Sequence, residues 1–215
     1  MKKTYVVIGL GKFGAAIASQ LYELGNEVLV IDDSAERVAR IEPNVTCAVT
    51  ADARDEEVLR ALGVAHYDCA VVAIGTDLAT SVIITLNLKE LGVPQIMCKA
   101  TDEVQKRALE KVGADRVVIP EREMGLKLAQ ALSSSSVLDF IELSRDYGIA
   151  ETTMPSSWVG QTLRGLNVRA KYGVNIIALK EDEQFLVSPA ADRVLREGTV
   201  LVVLGKSDQL ARLGK

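Results

Sequence analysis

Tyr5-Val6-Val7-Ile8-Gly9-Leu10-Gly11-Lys12-Phe13-Gly14 decides the reading of this chain. Tyr5–Ile8 is an apolar run suited to a buried strand, and Gly9, Gly11 and Gly14 follow it with the spacing G-x-G-x-x-G. At a strand-to-helix turn that spacing gives each glycine a task. Gly9 permits the tight turn, Gly11 lets backbone approach a phosphate, and Gly14 lets the next helix, Ala15 to Leu24, pack tightly on the strand. The free N–H groups at the start of that helix attract an anion. Glu27–Ile31 reads as the next strand, and Asp32 at its end is placed to accept from ribose hydroxyls, with Asp33 beside it. The plainer reading is an ordinary βα turn with Asp32 as a helix cap. The glycine loop followed by an acidic strand end favours a nucleotide site.

Composition agrees with buried parallel strands. Of 215 residues, 48% are hydrophobic and only 4% aromatic, which suits a sheet covered on both faces. The formal net charge of −4 and scattered Lys and Arg argue against nucleic acid as the main partner. Lys2-Lys3 leads straight into a short strand followed by glycines, which is not the pattern of a signal peptide. No apolar run approaches the ~20 residues of a membrane helix. The expected location is therefore cytoplasmic. Cys47, Cys69 and Cys98 each lie in or beside an apolar strand and form no C-x-x-C, so they read as reduced core residues. His66 is the only histidine and falls in a polar loop, so it reads as a surface residue, and a single histidine without a C-x-x-C argues against a Cys/His metal site.

Strands and helices alternate as far as about residue 134. The expected strands are Thr46–Thr50, Cys69–Ile74, Gln95–Cys98 and Arg116–Ile119 after the first two, separated by helices near Glu36–Ile41, Asp55–Leu62, a long one ending at Leu91, and Val104–Val112. Pro120 precedes an amphipathic helix over Glu123–Leu132. This alternation predicts a doubly wound parallel sheet of strand order 3-2-1-4-5-6. Ser133–Ser136 marks a linker, which divides the chain into domains 1–134 and 137–215. Beyond it, Val137–Leu143 and Thr199–Leu204 alternate like strands, Asn175–Lys180 and Gln184–Val187 pair as a hairpin, and Ser207–Leu213 closes as a short helix. The second domain is thus small and α+β.

Ligands of open α/β sheets lie at the carboxyl ends of the strands. Besides Asp32, those ends carry Asp52 and Ala53 after strand three, which can read an adenine edge or cap a helix. Ile74-Gly75-Thr76 follows strand four, where backbone can meet a phosphate or ribose. Lys99 follows strand five, as a phosphate partner or a solvated charge, and Glu121 follows strand six, as a ligand-site carboxylate or a first-turn helix charge. A carboxylate beside a triphosphate is repelled unless a divalent cation such as Mg²⁺ or Ca²⁺ lies between them. Lys12, inside the glycine loop, can reach a terminal phosphate.

These residues resemble the RCK (KTN) regulators of potassium transport. The resemblance is carried by Ile8–Gly14, Ala73-Ile74-Gly75, Leu88-Lys89-Glu90-Leu91, Gly113-Ala114-Asp115-Arg116, Pro120–Gly125 and Asn167–Gly173, and it spans nearly the whole chain. It implies a Rossmann-like RCK-N domain followed by an RCK-C (TrkA-C) domain, with no enzymatic activity. It also implies an octameric ring built from dimers and docked beneath a membrane potassium-channel subunit at the inner face of the cell membrane. In such a ring ATP activates and ADP inactivates. The position matching Asp32 binds ribose, that matching Lys99 lies by the nucleotide, and that matching Glu121 holds a cation, with Na⁺ a further candidate, near the γ-phosphate. Lys12 stands where close relatives carry Arg, exchanging a planar fork of donors for a point charge.

The resemblance further implies that cyclic di-AMP binds the RCK-C dimer and inhibits, using positions matching Leu166, Asn167, Val168, Arg169, Ala170, Asn175, Ile176, Ile177 and Pro189. Arg169 would pair with phosphate, and the aliphatic residues would pack on adenine. Ile176-Ile177 reads equally as strand core. A small NAD(H)-dependent oxidoreductase is the alternative function, but no Tyr-x-x-x-Lys pair sits on a suitable helix and His66 is the only candidate histidine acid/base.

Overall fold

A computed structural model describes residues 2–75, 77–133, 137–144, 146–182, 184–210 and 213. The chain divides into two compact units, residues 1–123 and 124–215.

The first unit holds six parallel strands: β1 (Thr4–Ile8), β2 (Glu27–Asp32), β3 (Cys47–Thr50), β4 (Cys69–Val72), β5 (Ile96–Lys99) and β6 (Arg116–Val118). Their order is β3-β2-β1-β4-β5-β6, as the alternation predicts. Between them run α1 (Lys12–Glu23), α2 (Ala35–Ile41), α3 (Glu56–Ala61), α4 (Leu78–Glu90) and α5 (Glu103–Val112), and α6 (Pro120–Ser133) follows β6 across the division between the units. Successive strand residues point to opposite faces, and each face has its own core. Val6, Ile8, Leu29, Ile31, Ala70 and Val72 pack with Leu59, Ile84, Leu88 and Leu109 of α3, α4 and α5. Val7, Val28, Val30 and Val71 pack with Ala18, Val38 and Ile41 of α1 and α2.

Helix starts are fixed by side chains where the loops supply them. Ser34 caps α2, Asp55 caps α3, Asp77 caps α4 and Asp102 caps α5, each accepting from N–H groups of the first turn. The start of α1 differs: Gly11 occupies the cap and offers no side chain. Two sequence expectations change here. Strand four ends at Val72 rather than Ile74, and Cys47 is exposed while Cys69 and Cys98 are buried. Cys47 opens a four-residue strand at the edge of the sheet, where cover on both faces runs out. His66 is exposed, as its polar loop implies.

The second unit is a five-stranded antiparallel sheet of order β10-β9-β11-β8-β7. Its strands are β7 (Val137–Glu142), β8 (Tyr147–Thr153), β9 (Asn175–Glu181), β10 (Gln184–Val187) and β11 (Val200–Lys206), accompanied by the short helices α7 (Leu163–Leu166), α8 (Val168–Tyr172) and α9 (Ser207–Leu210). The core joins Ala150, Leu179, Leu201 and Val203 of the sheet to Trp158, Leu166, Val168 and Leu210. A β-bulge interrupts β9: Val202 faces Ala178 and Val203 faces Ile176, which leaves Ile177 as the extra residue. β8, α7 and α8 were not legible in the sequence. The serine break at Ser134–Ser136, the tip residue Glu183 and Ala211-Arg212 of the expected terminal helix lie outside the described residues.

Candidate functional site

The strand order reverses between β1 and β4, and the loops leaving their carboxyl ends lie side by side there. Gly9 has φ of +93°, and its N–H donates to the Ile31 carbonyl at 2.9 Å, so the turn is tied to β2. A Cβ on Gly9 would stand 2.9 Å from Ile74 Cγ1, and one on Gly14 would land on the Gly9 carbonyl oxygen. Both glycines are therefore demanded by the chain itself. Gly11 is not. Its φ of −63° and ψ of 179° suit any residue, and a Cβ there would meet nothing within 4 Å. The open space lies at the uncapped start of α1, where free N–H groups face outward. An anionic group approaching the backbone fits that space and that polarity.

Asp32 ends β2 and is buried. Its Oδ2 accepts from the Leu10 N–H at 2.6 Å and from Arg37 Nη1 at 3.1 Å, while Oδ1 accepts from the Ser34 N–H at 2.9 Å. The cap of α2 is Ser34, so Asp32 is not the helix cap of the plainer reading. It binds the glycine loop to the α2 entry, and Asp33 beside it is exposed. Asp52, after β3, is held in a bidentate pair by Arg54, with Nη2 donating to Oδ2 at 2.7 Å and Nε to Oδ1 at 2.9 Å. Those hydrogen bonds lower its carboxyl to about 2. Asp55, not Asp52, caps α3, and Ala53 is buried between them.

Lys99 ends β5, and its Nζ donates to Glu121 Oε1 at 2.6 Å. The lysine side chain is only 15% exposed while Glu121 is 67% exposed, so the cation is the sheltered partner rather than a solvated charge. The Lys99 hydrogen bond holds the Glu121 carboxyl below its ordinary range, and the Glu121 backbone N–H lowers it further. Lys99 Nζ also lies 5.8 Å from the Phe13 ring centroid, and a Cβ on Gly75 would stand 3.3 Å from it. Ile74 is anchored by the Ser81 hydroxyl, which donates to its carbonyl at 2.9 Å. Phe13, Ile74, Gly75, Lys99 and Glu121 are thus brought together beside Gly9, with Lys12 exposed at the start of α1. Thr76 lies outside the described residues. Among the described residues no group of three or more His, Cys, Asp or Glu could hold a metal ion.

In the second unit, Asn167 joins α7 to α8 in a left-handed conformation (φ 46°, ψ 48°). This sharp junction turns Leu166 and Val168 into the core and leaves Asn167, Arg169 and Ala170 exposed. Ile176 packs against the same core, Asn175 is exposed, and Ile177 and Pro189 are half-buried. Of this set, Asn167, Arg169, Ala170 and Asn175 are exposed, Ile176, Ile177 and Pro189 are half-buried, and Leu166 and Val168 are buried.

Arg37 and Arg54 were missed from the sequence. Each is a cation close after a strand-end aspartate, five and two residues on, and that proximity was the available signal.

Residues 5–120 match the TrkA-N domain and residues 149–215 the TrkA-C domain. This is an RCK-family chain of the potassium-transport regulators. The RCK chain is 40% identical over 215 residues to the Ktr system potassium uptake protein C of Bacillus subtilis (strain 168), covering 100% of this chain and 97% of that one. The Ktr system potassium uptake protein A of Vibrio alginolyticus is 34% identical over 209 residues, covering 97% and 95%. The crystal structure of the GsuK RCK domain superposes with a TM-score of 0.69 at 22% identity, covering 99% of this chain and 47% of that one. The GsuK channel bound to NAD gives 0.67 at 22% identity, covering 99% and 39%. These RCK structures share the fold, and this chain spans less than half of their length. Among the described residues, no helix is long and apolar enough to cross a membrane.

Proposed function

We propose that this chain is the nucleotide-gated regulatory subunit of a potassium uptake system, working at the inner face of the membrane beneath a potassium-channel subunit and assembled as an octameric ring of dimers. Gly11 carries the nucleotide reading, because the chain itself has no steric use for a glycine there. ATP or ADP lies across the first domain with phosphates at Gly11, Lys12 and the start of α1, ribose at Asp32, and the Ile74-Gly75 backbone beneath. Asp52 and Ala53 border the base. Lys99 changes partner in this scheme. The γ-phosphate of ATP draws its Nζ, which leaves the Glu121 carboxylate to Mg²⁺, Ca²⁺ or Na⁺; ADP lacks that group, and Lys99 stays on Glu121. Activation by ATP and inactivation by ADP follow from this difference, and no bond is made or broken.

The second domain supplies a further input. Cyclic di-AMP sits between two copies, with its phosphates at Arg169 and its bases beside Ala170, Ile177 and Pro189, and it switches transport off. A two-fold ligand suits an interface in which one patch meets its own copy.

Calorimetry with ATP, ADP and NADH tests the nucleotide site. ATP and ADP should bind the wild-type chain, and Asp32→Ala should weaken both at least tenfold by removing charged hydrogen bonds of about 1.5–3 kcal/mol. Unchanged ATP affinity in Asp32→Ala refutes the site, and binding of NADH alone refutes the ATP/ADP reading.

A further inference from the structure

A carboxylate offers two oxygens and about four acceptor positions. On Asp32, Oδ2 already serves the Leu10 N–H and Arg37 Nη1, and Oδ1 serves the Ser34 N–H. One position is open on Oδ1 and none on Oδ2. A ribose presents two adjacent hydroxyls, which engage a carboxylate fully when one reaches each oxygen. Two of the three donors in place are backbone N–H groups, fixed by the glycine loop and by the start of α2. Only Arg37 is free to withdraw: its side chain is 49% exposed, whereas that of Asp32 is 2% exposed.

We infer that Arg37 sits on the Oδ2 acceptor that a ribose hydroxyl takes, so that it competes with the nucleotide for Asp32 and sets the affinity of the site. This rests on the nucleotide reading above. The exchange is uneven, because a neutral hydroxyl replaces the hydrogen bond of the guanidinium but not its charge. Nucleotide binding therefore loses the coulombic part of a half-exposed ion pair, which is worth about two- to fivefold in affinity. Arg37 is then a built-in resistance to occupancy by any ribonucleotide, whatever its phosphates. Its removal leaves Asp32 with two backbone donors, so the carboxylate stays satisfied.

The test is calorimetry on the full chain with ATP and with 2′,3′-dideoxy-ATP, for wild type, Arg37→Ala, Arg37→Lys and Asp32→Ala. Arg37→Ala should bind ATP about two- to fivefold tighter and dideoxy-ATP no differently, while Arg37→Lys, which can keep the pair, stays near wild type. ATP affinity that is unchanged or weaker in Arg37→Ala overturns the inference, as does an equal gain for the dideoxy ligand. Asp32→Ala separates the two ideas. If it leaves ATP affinity unaltered, the nucleotide reading falls and this one with it. If it weakens ATP while Arg37→Ala brings no gain, only the competition is refuted.

Discussion

Gly11→Ala and Gly14→Ala change the same atom count three residues apart, and the structure assigns them opposite consequences. At Gly11 the backbone already suits alanine, and the added Cβ enters open space. The alanine restricts the unfolded chain, which favours folding by about 0.4–1 kcal/mol, and it is a poorer helix cap than glycine by a similar amount. The net change should stay within about 1 kcal/mol, or about 4 °C in melting temperature for a chain of this size. At Gly14 the Cβ lands on the Gly9 carbonyl and comes within 2.9 Å of the Ala73 Cβ, so loop and helix must separate. That overpacking should cost about 3 kcal/mol, or about 6–12 °C. For ATP the contrast is different. A phosphate held at Gly11 loses one or two charge-assisted hydrogen bonds to the Cβ, about 1.5–3 kcal/mol each, so affinity should fall tenfold or more in a chain that still folds. Thermal unfolding and ATP calorimetry on both variants give the answer. A folded Gly11→Ala chain that binds ATP like wild type refutes the argument that this glycine serves a ligand.

Glu121→Gln should keep ATP binding but erase its dependence on Mg²⁺ or Ca²⁺, measured by titrating ATP with and without the cation; a dependence that survives reduces Glu121 to the partner of Lys99. Arg169→Ala should leave the stability within about 0.5 kcal/mol of wild type, because the residue is exposed. It should also weaken cyclic di-AMP, which wild type should bind at half an equivalent per chain; one equivalent per chain would exclude the shared site. Arg54→Ala should return the Asp52 carboxyl from about 2 toward its ordinary 3.8, as followed by NMR. Because the folded value is the lower one, the stability this pair adds is present above about pH 3.8 and lost as pH falls toward 2. Both groups are exposed, so solvent screens the pair and the loss should be small.

The first unit was legible because continuous apolar strands and helices of six to thirteen residues leave two clear periods in the sequence. β8 was not, since Tyr147–Thr153 turns only small or polar residues, Gly148, Ala150 and Thr152, toward burial. α7 and α8, at four and five residues, are too short to show a helical period. At the site, the residue types were legible and their pairings were not. Lys99 and Glu121 stand 22 positions apart, and they meet because β5 and β6 are neighbours in the sheet. That contact could have been drawn from the expected strand order, by placing the two strand ends side by side. Arg37 eluded the reading because a cation on the exposed side of α2 looks like ordinary surface charge.

Ile177 has no counterpart across β11, and this makes β9 tolerant of a change in length that would ruin most strands. Removing one residue from a regular strand reverses every side chain beyond the cut. Removing Ile177 would instead put Ala178 directly after Ile176, so that Ile176 and Leu179 alternate normally and both still enter the core. The strand would keep its β11 partners and lose its local bend together with the hydrogen bond from the Ser188 N–H to the Ile177 carbonyl, carrying the neighbouring Asn175 to a new angle. A gap at this one position would thus re-aim part of the second unit's surface without reversing the faces of the strand.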